Sequence, residues 1–295
     1  MVLTLYFHPF SQPSRSVWMF CKAARIPIVE KIVNVRTGEH KKPWFALMSP
    51  MTQVPTIKDN NFVLSESVAI VRYLVRKYEV MDHWYPEDLE QRAKIDEFLA
   101  WHHVNLRQKI IKVFKEEVIN PFVHGKKPDQ SQLQEHLEDL NKTLTFLQKH
   151  ILGDKEYLFG DDITVGDLFA VSEIIQTNTS GRDVLKDFPK LRQWLDLVRA
   201  TMTPVFEEVH GDLFKFRDEI IAKQKEERRE EKVKQLREIR RRESTEPEGE
   251  VITLELDDNL NIKPEQNGGS IKEETTNDDS KEENDTEATV QVGGN

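Results

Sequence analysis

The stretch that decides the fold lies at the N-terminus, where residues 2–24 read VLTLYFHPFSQPSRSVWMFCKAA. Its first six residues form an apolar run rich in strand-forming side chains. Two prolines and Ser11 interrupt this run, and apolar side chains then recur at helical spacing, at Val17, Phe20 and Cys21. The order is therefore strand, loop and helix, with a serine hydroxyl close to the point where the helix begins.

Strands and helices continue to alternate over residues 25–80. A second strand follows Pro27, a hairpin forms around residues 59–61, and Ser65 is expected to cap the helix that comes next. The pattern predicts strands at residues 28–33, 54–58 and 62–64 and a short helix at residues 40–48. The order β-α-β-α-β-β-α is typical of a thioredoxin-like α/β domain.

Strand signals disappear further along, and long helical patterns replace them. One stripe with a period of 3.6 residues consists of Ile95, Phe98, Leu99, His102 and Leu106. We therefore expect a thioredoxin-like domain at residues 1–80, a linker at 81–87, an all-helical domain at 88–221, a charged helical extension at 222–243 and a disordered acidic tail at 244–295.

The formal net charge of −10 is a property of the tail rather than of the folded body. Residues 244–295 contain 15 Asp and Glu against 3 Lys, whereas residues 222–243 contain 10 Lys and Arg against 6 Glu. Every aromatic residue lies at or before Phe216, so only that part of the chain can build a large core. No run of 18 apolar residues exists for a membrane span, and no signal peptide is recognisable at the N-terminus.

The single cysteine, Cys21, excludes a disulfide framework and a cysteine-based zinc cluster. Because it falls on the apolar stripe of the first helix, it is expected to be a small buried hydrophobic residue. His102 and His103 are adjacent and cannot share one helix face as metal ligands. We expect no metal, no nucleic-acid partner and a reducing, cytoplasmic setting.

The loop after the first strand is the place where a thioredoxin-like layout carries its chemistry. Thiol–disulfide enzymes have two cysteines there, whereas this chain has Ser11-Gln12-Pro13-Ser14 and cannot exchange disulfides. A serine hydroxyl at a helix N-terminus can instead donate a hydrogen bond to a bound thiolate, which the helix dipole also attracts. One such charge-assisted bond contributes about 1.5–3 kcal/mol and lowers a thiol pKa by about one or two units. The nucleophilic thiol then belongs to the substrate.

A set of short motifs follows the loop in a fixed order. In the first domain they are Ser11-Gln12-Pro13-x-Arg15, Gly38-x-His40, Gln53-Val54-Pro55 and Glu66-Ser67-Val68-Ala69-Ile70. In the second domain they are Asp96-Glu97-x-Leu99-Ala100-Trp101, Thr164-x-x-Asp167 and Phe188-Pro189-Lys190-Leu191 before Trp194. In this order and spacing the chain resembles a theta-class glutathione transferase over residues 1–210. The resemblance implies the glutathione transferase fold, in which an all-helical domain follows the thioredoxin-like domain.

The resemblance implies a glutathione site in the first domain. Ser11 would be the catalytic residue and would donate a hydrogen bond to the glutathione sulfur. The backbone of Val54, followed by a cis bond to Pro55, would pair with the cysteinyl unit. Glu66 would meet the γ-glutamyl ammonium, and Ser67 the neighbouring carboxylate, beside free helix N–H groups.

The glycyl carboxylate of glutathione would face His40 and Gln53. Position 53 departs from the family, because a lysine is common there and Gln53 brings no charge, so weaker glutathione binding is expected. Tyr6 is an alternative to Ser11, since other transferase classes use a tyrosine near the end of the first strand. The strand alternation favours a packing role for Tyr6, and Thr164-x-x-Asp167 is interpreted as a structural capping box.

The electrophile pocket is implied by the resemblance in less detail. Its predicted residues are Gln12, Trp101, His102, Arg107 and Phe114. An arginine in the pocket favours an anionic or electron-rich leaving group such as sulfate or halide. A C-terminal lid closes this pocket in the family, but this chain continues beyond Phe216 as a charged helix, so a more open pocket is expected.

The function implied is that of a cytoplasmic homodimer that conjugates the glutathione thiolate to small electrophiles, with dehalogenase, sulfate-ester or peroxidase side activities. Glutathione is a co-substrate, and no further cofactor is expected. The alternative is a non-catalytic dimerisation or scaffold module that acts through its charged C-terminal extension. Gln53 and the altered lid favour the alternative, whereas Ser11, Glu66 and Ser67 oppose it.

The acidic tail contains a candidate protein-binding strip at residues 251–262. Val251-Ile252-Thr253-Leu254, followed by acidic residues, resembles a SUMO-interacting motif, which adds a strand to the sheet of its partner. The apolar spacing of the same strip also resembles a nuclear-export signal, and nuclear shuttling is therefore a further hypothesis.

Overall fold

A four-stranded mixed sheet lies at the centre of the first domain in the computed structural model, which describes residues 3–243, 254–256 and 262–264. The strand order is β2-β1-β3-β4, with β1 at Leu3–Phe7, β2 at Ile28–Ile32, β3 at Thr56–Asp59 and β4 at Phe62–Ser65. β2 runs parallel to β1, and β3 and β4 are antiparallel to their neighbours. The predicted order of elements is thus confirmed, with small shifts at the strand ends.

The two faces of β1 pack against different groups, as the period of two in a strand requires. Leu5 and Phe7 are buried in the main core. Tyr6 points the other way and packs with Val33 and Phe45 in a separate small cluster. Tyr6 therefore has the packing role that the alternation predicted.

Three helices complete the first domain. They are α1 at Gln12–Ala23, α2 at Pro43–Met48, which follows a 3₁₀ turn at Glu39–Lys41, and α3 at Ser67–Tyr78. Cys21 in α1 is fully buried, as predicted, and burial raises the pKa of its thiol to about 12. The prediction that Ser65 caps α3 is wrong, because Ser65 still pairs in β4 and Glu66 occupies the N-cap position.

The first compact unit extends over Met1–Glu230, and its remaining regular elements are helical, the last of them continuing beyond residue 230. They are α4 at Leu89–His102, α5 at Gln108–Phe114, α6 at Gln130–Phe146, α7 at Val165–Thr177, α8 at Pro189–Met202 and α9 at Val205–Glu243. Three π-helical segments interrupt or extend them, at His103–Arg107, Lys115–Val123 and Leu147–Leu152. The predicted stripe from Ile95 to Leu106 is buried along its whole length. Within the described residues, no helix is long and apolar enough to cross a membrane.

α7 is the central helix, and every one of its residues is buried. Thr164 and Asp167 form a reciprocal capping box at its start, as predicted. The Asp167 carboxylate also accepts hydrogen bonds from the backbone N–H of Leu158 and from Nε1 of Trp194, at 2.9 and 2.8 Å. One buried side chain therefore fixes the start of α7, the preceding loop and α8.

α9 continues into the predicted charged extension as one helix. Phe206, Val209, Leu213 and Ile220 are buried in its first part. Further along, side chains are mostly exposed, and Lys223 pairs with Glu227 one turn away. The extension is thus helical and solvated, as its sequence predicted.

The second compact unit extends over Glu231–Asn295. In the predicted tail, the described residues form two short strands, β5 at Leu254–Leu256 and β6 at Ile262–Pro264, which pair antiparallel. The remaining tail residues, including most of the strip at residues 251–262, lie outside the described residues. The predicted domain borders at residues 80, 88 and 221 fall inside the first unit and stay predictions.

Candidate active site

The register of the sheet brings four loops to one end of it. Phe7 at the end of β1 lies beside Ile32 at the end of β2. On its other side, Tyr6 pairs with Thr56 at the start of β3, and Thr56 pairs with Ser65 at the end of β4. The residues that follow or precede these ends are those of the predicted glutathione site, at 8–12, 34–42, 53–55 and 66–67. Neighbouring strands lie about 4.8 Å apart, so the four loops span about 14 Å, enough for an extended tripeptide of about 10 Å.

Ser11 is the N-cap residue of α1 and is half-buried. Its backbone N–H donates to the carbonyl of His8 at 3.0 Å, and its carbonyl accepts from the backbone N–H of Arg15 at 3.0 Å. Its hydroxyl oxygen accepts from the backbone N–H of Ser14 at 3.4 Å. Because the hydroxyl is only an acceptor in this contact, its O–H can donate to a further group at the positive end of the helix.

Gln53, Val54 and Pro55 form the turn before β3, and the Val54–Pro55 peptide bond is cis, as the resemblance implies. The hydroxyl of Thr56 donates to the carbonyl of Gln53 at 2.9 Å. This hydroxyl also lies 2.9 Å from that of Ser65, and Ser49 joins both. The buried hydroxyl cluster ties the turn to the end of β4. The side chain of Gln53 itself is exposed.

Glu66 precedes α3 with a φ of 70°, in the left-handed region that non-glycine residues seldom adopt. Its side chain is exposed and does not cap the helix, whereas Ser67 is buried at the first helical position. Burial and the charge of Arg107 lower the pKa of His103, and the charge of Glu66 opposes this change, which indicates that the carboxylate faces the helical domain. A strained backbone of this kind is common at ligand sites.

The loop after β2 brings cationic groups towards the Ser11 loop. Burial lowers the pKa of His8, and the charges of Arg36 and His40 lower it further. His40 is half-buried, and its Nδ1 atom is buried without a hydrogen-bond partner among the described residues. His40 therefore has a free polar atom in the region where the resemblance places the glycyl carboxylate.

Of the predicted pocket residues, Gln12 and Arg107 have polar groups that suit this role. Gln12 is buried at the start of α1, and its Nε2 atom has no partner among the described residues. Arg107 donates from Nε to Oε1 of Glu173 at 2.6 Å, and its Nη1 atom lies 3.0 Å from Nδ1 of His103. Phe114 is half-buried at the end of α5.

Trp101 lies in a separate groove, and His102 is buried in the core beside Arg107, with its Nε2 atom 3.5 Å from Nη2 of Arg107. Trp101 lies with Phe98, Phe146 and Phe159 along a groove of about 810 Å³ that contains none of the predicted glutathione-site residues. His102 is fully buried, stacks on Phe98 and donates from Nδ1 to the carbonyl of Leu99 at 2.6 Å. Its position on the apolar stripe explains this, because that face of α4 points into the core. Neither side chain is part of the pocket that we propose below.

The sequence patterns do not identify Glu173, the buried partner of Arg107. Glu173 is fully buried in α7, where burial raises the pKa of its carboxyl while the charges of Arg107 and Arg15 oppose this. The sequence does contain a signal for a buried ion pair, because a glutamate interrupts an apolar run and buried charges are usually paired. The run is Leu168-Phe169-Ala170-Val171-Ser172-Glu173-Ile174-Ile175.

The first part of α9 reaches the Ser11 loop. The ring of Phe216 stacks on that of Phe10, with centroids 5.1 Å apart, and Arg36 lies 5.8 Å from the Phe216 centroid. The charge of Asp212, one turn earlier, acts on His8. The helix therefore covers the loop that carries Ser11 before the charged extension begins.

Comparisons with known proteins agree with this geometry. The family model "Glutathione S-transferase, N-terminal domain" matches residues 5–83, and "Glutathione S-transferase, C-terminal domain" matches residues 109–201. Glutathione S-transferase theta-1 from Bos taurus is 39% identical over 219 residues, which are 74% of this chain and 91% of the bovine protein. Glutathione S-transferase theta-2 from Mus musculus is 34% identical over 214 residues, covering 72% and 87%.

Solved structures give the same result. Human glutathione S-transferase T1-1 in its apo form has a TM-score of 0.71 at 38% identity, covering 73% of this chain and 91% of the human one. Human glutathione transferase theta-2, solved with glutathione and an unknown ligand, has a TM-score of 0.71 at 32% identity, covering 75% and 91%. The chain belongs to the theta class of the glutathione S-transferase family.

The buried neutral state of His102 predicts a pH dependence of stability. Burial and the charge of Arg107 lower its pKa to about 3 in the folded protein, so between about pH 6.5 and 3 only the unfolded chain takes up this proton. The free energy of unfolding should therefore fall as the pH falls through this window. We expect His102→Phe to reduce the loss between pH 6 and 5 by about 1 kcal/mol, measured by urea unfolding. The exposed His124 gives the control, because His124→Gln should leave the loss unchanged; an equal loss in native protein and His102→Phe would contradict the prediction.

Proposed function

We propose that the protein catalyses nucleophilic attack of the glutathione thiolate on small electrophiles, with Ser11 as the thiolate-stabilising residue. The observation that carries this proposal is the half-buried Ser11 hydroxyl at the N-terminus of α1, at the sheet end where all four predicted binding loops meet. Its O–H donates to the sulfur while the helix dipole attracts the negative charge. The comparisons give no support to a non-catalytic scaffold.

Strand order supports one orientation of glutathione across the sheet end. The γ-glutamyl group lies beyond β4, where Glu66 meets its ammonium and Ser67 and the first N–H groups of α3 meet its carboxylate. The cysteinyl unit pairs with the Val54 backbone next to Ser11. The glycyl carboxylate lies towards β2, where His40 has an unpartnered buried Nδ1 atom.

The electrophile lies on the helical side of the sulfur, beside Gln12, Arg107 and Phe114. Arg107, ion-paired with Glu173, suits a leaving group that departs as an anion, such as sulfate or halide. A human theta-class enzyme was solved with the glutathione conjugate of 1-menaphthyl sulfate, at 32% identity to this chain and a TM-score of 0.71. Sulfate esters and alkyl halides are therefore the first substrates to assay.

Ser11→Ala should remove the bond to the thiolate and leave the binding contacts of glutathione in place. The thiolate pKa should rise by about one or two units, and turnover at pH 6.5 should fall about 10- to 100-fold, with little change in KM for glutathione. Ultraviolet absorbance of the bound thiolate against pH measures the first effect, and steady-state kinetics the second. Ser11→Thr, which keeps a hydroxyl, is the control and should retain part of the activity. If Ser11→Ala matched the native protein in both measurements, Ser11 would not be the activating group.

Gln53→Lys should strengthen glutathione binding. A lysine at position 53 adds a charge-assisted bond to the glycyl carboxylate on an exposed side of the site, worth about 0.5–1.5 kcal/mol. We expect KM for glutathione to fall about 2- to 10-fold with kcat unchanged, and the effect to shrink at high salt. Gln91→Lys adds the same charge on an exposed face of α4 and should change nothing. An unchanged KM in Gln53→Lys would place the glycyl carboxylate elsewhere.

We also propose that the protein is a homodimer, as the family resemblance implies. Val104 and Ile111 support this, because they lie two turns apart between α4 and the end of α5 and are 57% and 42% exposed. Light scattering should give twice the chain mass of 34.5 kDa. The double variant Val104→Lys with Ile111→Lys should sediment as a monomer, whereas Ile239→Lys, at an exposed apolar residue of the extension, should remain dimeric. A native mass of one chain would refute the dimer.

A cytoplasmic location follows from the same family resemblance and forms part of this proposal. Nuclear shuttling rests on the short apolar strip in the tail alone. Fluorescence microscopy of the tagged full chain, with and without residues 251–262, separates the two, because only shuttling predicts nuclear retention after removal of the strip.

A further inference from the structure

Arg15 is one of the largest fully buried side chains in the protein. It lies one turn into α1, where its backbone N–H donates to the carbonyl of Ser11. A guanidinium ion is costly to bury, and this cost is offset where its donors and its charge find partners. Nη1 and Nη2 of Arg15 have such partners, whereas Nε has none among the described residues. The partners of Arg15 therefore show what this charge is placed to hold.

The guanidinium joins the Ser11 loop to the central helix. Its Nη1 atom donates to the carbonyl of Pro9 at 3.0 Å. Its Nη2 atom donates to the carbonyl of Ser172 and to Oε1 of Gln176, both at 2.8 Å. The donors of an arginine form a rigid planar fork, so holding one branch on α7 fixes where the other branch meets Pro9.

The charge of Arg15 is partly compensated inside the core by Glu173, which forms its ion pair with Arg107. Burial lowers the pKa of Arg15 to about 9, while the negative charge of Glu173 opposes this change. The same carboxylate bonds Arg107 on the side of the electrophile pocket. Arg15 therefore stays protonated at neutral pH and keeps all its donors.

The position of the Pro9 carbonyl determines the backbone geometry immediately before Ser11. Fixing this oxygen fixes the peptide plane between Pro9 and Phe10, immediately before the catalytic residue. Among the described residues, the other hydrogen bonds of the turn are local: the Ser11 N–H donates to the carbonyl of His8, and the Phe10 N–H donates to Nδ1 of His8. The Phe10 ring also stacks on Phe216 of α9, but this contact leaves the backbone of the turn free. Arg15 is thus the side chain that ties the backbone of this turn to α7 by hydrogen bonds.

We propose that Arg15 is a positioning residue for thiolate activation, which sets the Ser11 hydroxyl by holding the Pro9 carbonyl against α7. The inference rests on the proposed function of Ser11. Arg15 itself is fully buried and does not reach substrate; it acts through the backbone of the loop. A small displacement of the hydroxyl weakens its bond to the sulfur, because hydrogen bonds depend steeply on distance and angle.

A purely structural role, in which Arg15 only stabilises the packing of α1 against α7, predicts that other side chains bridging these helices matter equally. Ser16, the next residue, also bridges these helices, with its hydroxyl 3.4 Å from the carbonyl of Leu168, but it does not touch the Pro9 carbonyl. Ser16→Ala is therefore a matched control that loosens the same interface without releasing the loop.

The experiment compares Arg15→Lys, Ser16→Ala and the native full-length protein. A lysine keeps the charge but cannot reach Pro9 and α7 together. We expect Arg15→Lys to raise the pKa of bound glutathione by about one unit and to lower turnover at pH 6.5 about 10-fold, with KM for glutathione within twofold. Ser16→Ala should match the native protein in all three. Unchanged thiolate titration in Arg15→Lys, or an equal shift in Ser16→Ala, would overturn the proposal.

A second measurement separates this inference from the proposed function. Amide hydrogen exchange at residues 10–12 reads the loop directly and needs no glutathione. Exchange at these residues should be faster in Arg15→Lys and unchanged in Ser16→Ala. Unaltered exchange in Arg15→Lys would overturn the positioning role, and this result does not depend on whether bound glutathione forms a thiolate. If Arg15→Lys does not fold, Gln176→Leu, which removes the side-chain acceptor on α7, takes its place under the same criteria.

Discussion

The pairing of β1 with its two neighbours is the constraint on which the rest of the site depends. Parallel pairing with β2 and antiparallel pairing with β3 place the end of β1 beside the end of β2 and the start of β3. A shift of one residue in either register would turn Tyr6 into the core and Leu5 out of it, because side chains alternate between faces. The hydrophobic core therefore enforces the register, and the register assembles four binding loops that are distant in sequence.

Buried charge joins this sheet end to the helical domain. Glu173 is fully buried, forms an ion pair with Arg107 and is also influenced by the charge of Arg15, whose guanidinium bonds the Ser11 loop. Removing either arginine would leave the carboxylate with less compensation, and unpaired buried charge is strongly destabilising. In the proposed site, activation of the sulfur and acceptance of the leaving group therefore share one electrostatic centre. Neither domain could hold that centre alone, because Arg15 comes from α1 and Glu173 from α7.

How much of this the sequence predicts depends on whether a feature is local. The strands, the first three helices, the capping box at Asp167 and the burial of Cys21 follow from local patterns, and all are present. The pattern predicts the N-cap of α3 one residue too early, because the left-handed φ of Glu66 has no signature in its side chain. The π-helical segments were missed for the same reason, since they keep the apolar stripe while changing the backbone.

His102 shows how two arguments about one residue can conflict. The apolar stripe predicts that it lies in the core, and the resemblance implies that it lines the pocket; the structure buries it on the stripe, behind Arg107. The apolar periodicity that predicts burial of His102 is a property of the whole helix, whereas the pocket role is implied for this one position. Glu173 is the opposite case, because its charge breaks an apolar run and only the partners from α1 and the segment after α4 explain it.

The two features that differ from the family pattern, at position 53 and in α9, lie away from the proposed position of the glutathione sulfur. We therefore expect them to affect glutathione binding rather than the attack by the sulfur. Gln53 is exposed at the end of the site that we propose for the glycyl carboxylate, and the charged part of α9 begins after Phe216 has already packed on Phe10. If glutathione binds as proposed, the missing charge at position 53 costs about 1 kcal/mol of binding in a solvent-exposed setting, and this cost is the same for the ground state and the transition state. We therefore expect it to raise the glutathione concentration that the enzyme needs without slowing the attack itself. Ser11, the proposed thiolate-stabilising residue, stands at the helix N-terminus, so we expect the chemistry to be retained while the affinity for the co-substrate is relaxed.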